Sequence, residues 1–316
     1  MTDPRFKLRL CPSCGSSERT RIFDLPAQEF CAANWTYSKD YPRILDIAPE
    51  ARFPVSRCLH CGFLYAELAP DAAFLALVYE EVIRHEDNLV ANEVARGVAH
   101  RMRYIADLLE LAHPRQPLQG LDYGCGLGVT LRLMESAGVK SVGFDASSIR
   151  TTYAASANAT IVRSHGNLQK LAPYDLIVCD NILEHLPDPA ETISFLASVS
   201  AAGAAMFVSV PDYNHRFIES QRRNINEGLK PDMSLNPWEH LNYFDIDHLD
   251  VMLKKAGFAP IPVPELVGTV DIGLRRDAGF VPRFKNACAS GLRLAAYALL
   301  GRALRGPNRV FYRYAG

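Results

Sequence analysis

The stretch that decides the fold is LDYGCGLGVT, residues 121–130. Asp122 is followed by Gly124, Gly126 and Gly128 at alternate positions, after a short apolar run and before a helical pattern. Glycines let a backbone approach a bound ligand closely, and the helix that follows offers free N–H groups. Strand, Gly-rich turn and helix in that order predict a nucleotide-type ligand at the end of a strand.

Outward from this turn, residues 118–263 alternate between short apolar runs and amphipathic segments. LQGLD (118–122), SVGFD (141–145), TIVR (160–163), YDLIVCD (174–180), AAMFVSV (204–210) and FAPIPV (258–263) read as strands. Residues 129–137, 148–157, 188–201 and 246–256 read as helices, with Gly138 and Gly257 at C-terminal positions and Asp245 as an N-cap. The alternation predicts an α/β domain, a mostly parallel sheet with helices on both faces.

The chain has 316 residues, 34 basic and 35 acidic side chains, and nearly half of its residues are apolar. That length suits one main core with a smaller unit appended, and the charge balance argues against a whole-protein footprint for nucleic acid. MTDPRFKLRL at the start has no apolar signal-like run, and no stretch approaches the ~20 apolar residues of a bilayer span. A cytoplasmic protein is expected, so the eight cysteines read as metal ligands or packed thiols and not as disulfides.

Four of those cysteines form two matched knuckles, CPSCG (Cys11, Cys14) and CLHCG (Cys58, Cys61). Two residues between thiolates let both reach one ion, and the following glycine permits a tight turn. Together they predict a closed, structural site of four thiolates, with zinc as the default ion and iron as the alternative. Cys31, Cys125, Cys179 and Cys288 read instead as small packed apolar residues.

The identity of the nucleotide turns on acids. Asp145 ends the second strand, 23 residues after Asp122, where a carboxylate accepts hydrogen bonds from ribose hydroxyls. A dinucleotide fingerprint has GxGxxG spacing, and an acid before it would oppose a pyrophosphate. Here the spacing is GxGxG with Asp122 before it, and no Gly-Lys-Ser/Thr of a phosphate-binding loop follows. A ligand with a cationic amino group and a sulfonium, S-adenosylmethionine (SAM), suits these carboxylates.

At this point the sequence resembles the class I SAM-dependent methyltransferases. LDYGCGLGVT resembles their first motif, VGFDAS their second-strand acid, and YDLIVCDNILEHLPDP their fourth strand and the segment after it. The resemblance implies a Rossmann-like seven-stranded sheet whose last strand is antiparallel, expected in 264–273. It implies that Asp122, Gly124, Cys125, Gly126 and Gly128 serve the methionine end, and Asp145 with Ala146 the ribose. Asn167 stands where an acid often faces the adenine, and Asn181 follows the fourth strand.

Methyl transfer needs a nucleophile aligned with the sulfonium and a group to take its proton. Candidates lie after the fourth strand, Glu184 and His185, and in the long connection 211–244, which lacks clear periodicity and reads as a substrate-covering segment. There Glu239 and His240 supply an orienter and a base, with Trp238 and Tyr243 as aromatic walls, and Tyr213, His215 and Tyr79 as further residues that could face substrate. An imidazole with an unperturbed pKa of about 6.5 suits proton removal at neutral pH.

A four-cysteine zinc segment before a SAM domain is also similar to bacterial sugar C-methyltransferases acting on nucleotide-linked keto-sugars. Their Tyr-x-Glu-His motif, whose His is implied as base, corresponds to Pro237-Trp238-Glu239-His240, with Pro in place of Tyr. The expected reaction is methyl transfer to an oxygen or carbon of a sugar- or glycan-like small molecule. Competing readings are an RNA methyltransferase gripping nucleic acid through its zinc module, and a silent SAM-fold scaffold. The module has no basic stripe and the fourth strand ends in DNIL, so nucleic acid is disfavoured.

The expected organisation is a zinc-ribbon-like module in 1–70, a helical cap in 71–117, the SAM domain in 118–273 and a basic amphipathic tail in 274–316. That tail, acid-free from Val281 onward, suits either a docked helix or peripheral membrane contact. Nothing in one chain signals oligomeric state.

Overall fold

The structure is a computed structural model that describes residues 3–34, 45–48, 51–82, 98, 101–102, 104–112, 117–154, 159–235, 239–261 and 308–316. The N-terminal strands are β1 (Phe6–Leu8), β2 (Arg19–Pro26), β3 (Arg52–Cys58), β4 (Leu64–Ala66) and β5 (Leu68–Pro70). The α/β region carries β6 (Gln119–Tyr123), β7 (Lys140–Phe144), β8 (Thr160–Val162), β9 (Tyr174–Asp180), β10 (Ser200–Val210), β11 (Asn242–Tyr243), β12 (Phe258–Pro260) and β13 (Asn308–Tyr314).

The main sheet has seven strands in the order β12-β13-β10-β9-β6-β7-β8. Strands β6 to β10 pair in parallel, and β13 is antiparallel to both of its neighbours. Leu176, Ile177, Val178 and Cys179 of β9 are fully buried, which is why this central strand reads as a continuous apolar run and not as an alternation. Each of the six expected strands is present. Helices Val129–Ser136, Ser148–Ala154, Pro189–Ser198 and Ile246–Lys255 fill the expected places, and Asp245 caps the last by accepting from the His248 amide at 2.9 Å.

The seventh strand lies elsewhere than expected. Residues 264–273 fall outside the described residues, and the antiparallel place in the sheet is taken by β13, drawn from the basic tail. NRVFYRY alternates with period two, burying Val310 and Tyr312, so it suits a sheet and not the amphipathic helix the tail's composition suggests. The tail's first part, 274–307, lies outside the described residues.

Two helices have weak signals in the sequence. His165–Leu171 is seven residues long with Leu168 as its buried residue, too short for a clear stripe. His215–Asn226, inside the connection expected to be irregular, buries Ile218 and Gln221, and a glutamine on the inner face hides the period.

The N-terminal module is not a separate bead. Its antiparallel sheet runs β11-β4-β3-β2, so its edge strand comes from the connection after β10. Cys11, Cys58, Phe63 and Tyr65 share one apolar core with Leu121, Ile177 and Val208 of the main sheet. Among the described residues, no helix is long and apolar enough to cross a membrane.

Candidate active site

Three parallel strands deliver their carboxyl ends to one crevice: β6 with the glycine turn, β7 with Asp145, and β9 with Asp180. The turn folds back because the amides of Gly124 and Cys125 both donate to the Phe144 carbonyl, at 2.7 and 2.9 Å. Gly124 has φ +85°, and a Cβ there would collide with the Ile182 side chain. Gly126, at φ +49°, faces open space, as a cradle for a ligand should.

Asp145 locks the turn to the second strand. Its carboxylate accepts from the Gly126 amide and from the Ser147 amide, both at 2.9 Å, and keeps further lone pairs for a ligand. Ala146 is exposed beside it, and its carbonyl accepts from Arg163. Cys125 is buried and packs toward Gly143, so its thiol is part of the core. Cys31 and Cys179 are likewise buried, whereas Cys288 lies outside the described residues. Asn167 is exposed in the first turn of its helix, where its amide bonds the capping Ser164. Asn181 is exposed, takes φ +56°, and donates through its side chain to Asp180 at 2.9 Å.

The electrostatics of the crevice favour a cation. Asp122 is 4 % exposed, and burial, with Asp180 and Asp145 nearby, pushes its carboxyl up to about 8 against a smaller opposing pull from Arg101. A pyrophosphate brought here would meet three acids, whereas an amino group or sulfonium would relieve their mutual repulsion. The residues present therefore fit SAM.

The other wall of the crevice begins at Ile182, the side chain that faces Gly124. The next residues, Leu183–His185, form a short 3-10 turn. Glu184 is fully buried, and neither carboxylate oxygen has a hydrogen-bond partner among the described residues. Burial pushes its carboxyl well above the usual range. Nε2 of His185 lies 3.7 Å from Glu184 Oε1, and Nδ1–H of His185 donates to the Glu239 carbonyl at 2.9 Å.

His240 stands against His185, with ring centroids 4.7 Å apart and planes at 68°. Nδ1–H of His240 and the Tyr213 hydroxyl both donate to the Ser234 carbonyl, at 2.6 and 2.5 Å, and lie 2.6 Å from each other. A carbonyl only accepts, so Nδ1 carries the proton and Nε2 keeps its lone pair. Burial pulls the His240 imidazole down to about 4, so it is neutral at physiological pH. Glu184, His185 and His240 each bring one atom to within 4.8 Å of the others, close enough to share a proton or a cation.

The orienting contacts on His240 thus come from Ser234 and Tyr213, while Glu239 meets His185 through its backbone carbonyl. Tyr79 packs edge-on to His185 at 6.5 Å, and His215 is exposed at the start of its helix. Tyr243 is buried in the module's core, and Pro237 and Trp238 lie outside the described residues. Asp180 has no motif of its own in the sequence; its place at the end of the strand beside β6 is the signal that marks it.

The two knuckles meet at a second site. Cys11 Sγ is 3.6 Å from Cys61 Sγ, Cys14 Sγ is 3.5 Å from Cys58 Sγ, and all four sulfurs lie within 4.8 Å of one another. Each turn is closed by the glycine the sequence places there: Gly15 N–H donates to Cys11 O, and Gly62 N–H to Cys58 O.

Strand order, the Gly-rich turn and its acids are those of the class I SAM-dependent methyltransferase fold. A family model described as a methyltransferase domain matches residues 98–263, just over half of the chain, and the chain belongs to that family. A ubiquinone biosynthesis O-methyltransferase of Marinobacter nauticus is 30% identical over 125 residues, covering 36% of this chain and 51% of that protein. The chain spans about half the length of the curated relatives it matches. A SAM-dependent methyltransferase structure from Archaeoglobus fulgidus aligns with a TM-score of 0.44 at 19% identity, over 72% of this chain and 100% of that one. The plantazolicin methyltransferase in complex with SAH aligns with a TM-score of 0.47 at 14% identity, over 77% and 96%.

Proposed function

We propose that the protein transfers the methyl group of SAM to an oxygen or carbon of a sugar- or glycan-like small molecule, with His240 as the base. SAM supplies a methyl group on a sulfonium and leaves as a neutral thioether. The acceptor forms its new bond to that methyl carbon while its proton passes to Nε2 of His240. The observation that carries this reading is the 2.6 Å contact of His240 Nδ1 with the Ser234 carbonyl, which makes Nδ1 the donor and leaves Nε2 of a neutral, half-buried imidazole its lone pair, on the wall that begins beside Gly124. Glu184, with its raised affinity for a proton, and His185 complete that wall.

A second reading for the acceptor is an aromatic hydroxyl. The relatives named for O-methylation in ubiquinone biosynthesis support it, as does the low His240 value, which suits an acceptor whose own proton is already acidic. Incubation with SAM and separate nucleotide-sugar, glycan, phenol and RNA pools, followed by mass spectrometry for a methyl-sized increment, distinguishes these. An increment confined to phenols would replace the sugar reading, and one in RNA would restore the nucleic-acid alternative.

At the donor end, Asp145 takes the ribose. Asp145→Ala is expected to weaken SAM binding by roughly tenfold or more, the scale of one hydrogen bond to a charged acceptor, read by calorimetric titration. An unchanged affinity would remove Asp145 from the ribose.

The four knuckle cysteines are proposed to hold one structural zinc ion. Bonds of about 2.3 Å in a tetrahedron place sulfurs roughly 3.8 Å apart, close to the observed 3.5 and 3.6 Å. The ion would be held by Cys11, Cys14, Cys58 and Cys61 and takes no part in methyl transfer. Cys58→Ser is expected to lose the bound zinc, measured by elemental analysis, and to lower Tm by several degrees or more. Retention of one full equivalent of zinc in that variant would refute the assignment.

A further inference from the structure

The two imidazoles that face the acceptor are held in place from outside the α/β domain. Arg9 lies at the end of β1, two residues before Cys11, and is 9 % exposed. Its Nη1 donates to the carbonyls of Leu241 and Ala66, at 3.0 and 3.3 Å. Its Nη2 donates to the Pro187 carbonyl and to Asn242 Oδ1, both at 2.7 Å. Pro187 follows His185 by two residues, and Leu241 and Asn242 directly follow His240. One guanidinium therefore ties together the Cys module, the turn carrying His185 and the strand that follows His240.

The tied segments are also bonded to each other. The Leu241 amide donates to the Glu184 carbonyl at 2.7 Å, and Asn242 Nδ2 donates to the carbonyls of Leu183 and Leu186 at 2.9 and 2.7 Å. On the module side, β11 pairs with β4, which begins three residues after Cys61, and the Ala66 amide donates to the Leu241 carbonyl at 2.9 Å. The module thus grips residues 241–243 from one side while the 183–187 turn grips them from the other.

Arg9 has no carboxylate within ion-pair distance among the described residues, and its four acceptors are neutral oxygens. A buried cation with no carboxylate in contact, met only at longer range by Asp188 and by the Tyr65 ring 5.9 Å away, is costly, and an apolar side chain would fill the same space at lower cost. What an apolar residue could not do is hold four acceptors from three segments in one plane, which the planar guanidinium fork does. Lysine has the charge without the fork.

We propose that Arg9 is a positioning residue for the acceptor half of the site, wiring the Cys module to His185 and His240 so that both imidazoles keep a nitrogen within reach of Glu184. This rests on the reading that these imidazoles face the acceptor. Its test, however, reads their geometry and not turnover, so its failure would leave the His240 base assignment standing.

The test uses the full zinc-loaded chain, SAM as the probe, and two variants, Arg9→Lys and Asn242→Ala. Imidazole nitrogen NMR distinguishes Nδ1–H from Nε2–H, and amide exchange reports on local opening. His248 is an internal control, because its Nδ1 and Nε2 contact Asp245 Oδ1 and the Cys61 carbonyl and not Arg9. In both variants SAM affinity is expected to stay within about twofold, while amides of 184–186 and 240–243 exchange about tenfold faster or more. His185 and His240 should lose the pure Nδ1–H signature, with His248 unchanged. Unchanged tautomers and exchange in folded variants would overturn the proposal. Loss of SAM binding together with the His248 signature in both variants would also overturn it, since Arg9 would then serve folding at large.

Discussion

His240→Ala is expected to cut methyl transfer by roughly 10²–10⁴-fold, the range supplied by a positioned general base, with SAM affinity little changed. The separation follows from place. His240 is held by Ser234 and Tyr213 on the connection after β10, whereas the donor-side groups sit at the ends of β6, β7 and β9. Single-turnover measurement on the acceptor found in the pool screen, beside calorimetry with SAM, checks both halves. Near-normal turnover would exclude His240 as the base. With SAM saturating, wild-type turnover should hold through neutral pH and fall as pH drops toward about 4, where the half-buried imidazole gains its proton.

Asp122→Asn has the second large effect, and it acts in opposite directions on binding and on stability. In the free protein, burial and the neighbouring acids push Asp122 up to about 8, so the carboxyl is mostly neutral at pH 6–7. A cationic ligand favours its ionised form. SAM binding should therefore release a proton, and affinity should tighten as pH rises from 6 toward 8. The asparagine variant should lose that pH dependence and bind SAM roughly 10–100-fold more weakly at pH 8, the scale of a charge-assisted contact.

The linkage to folding has the reverse sign. An acid whose folded value lies above its unfolded value of about 3.9 favours the native state fully below the unfolded value, and that contribution is lost as pH rises toward the folded value. The free asparagine variant should thus be more stable than the wild type near pH 8, with a higher Tm in calorimetry. A lower Tm there, or an unchanged pH profile for SAM binding, would mean that Asp122 is not a strained acid awaiting a cation.

Much of this was legible in the residues. The six strands from 118 to 263, the glycine turn and the paired acids Asp122 and Asp145 are local signals, written in neighbouring positions and read by period and spacing. The knuckles were legible for the same reason, because two matched CxxCG units describe the chemistry of a site before its geometry is known. The residue-level roles on the acceptor side were less legible. His240 was expected with Glu239 as its partner because they are adjacent, yet the contacts that fix its tautomer come from Tyr213 and Ser234, which are 27 and 6 residues away in sequence.

The α/β class, the acidic character of the donor site and the cysteine quartet are carried by short-range pattern and are readable residue by residue. Three features emerge in the folded chain alone: the antiparallel strand is 308–314, β11 completes the module's sheet, and Arg9 reaches Leu241 and Asn242 across 232 and 233 residues. These are long-range pairings. They depend on which buried backbone groups are left to be satisfied once the local elements have packed, and a linear pattern does not carry that information.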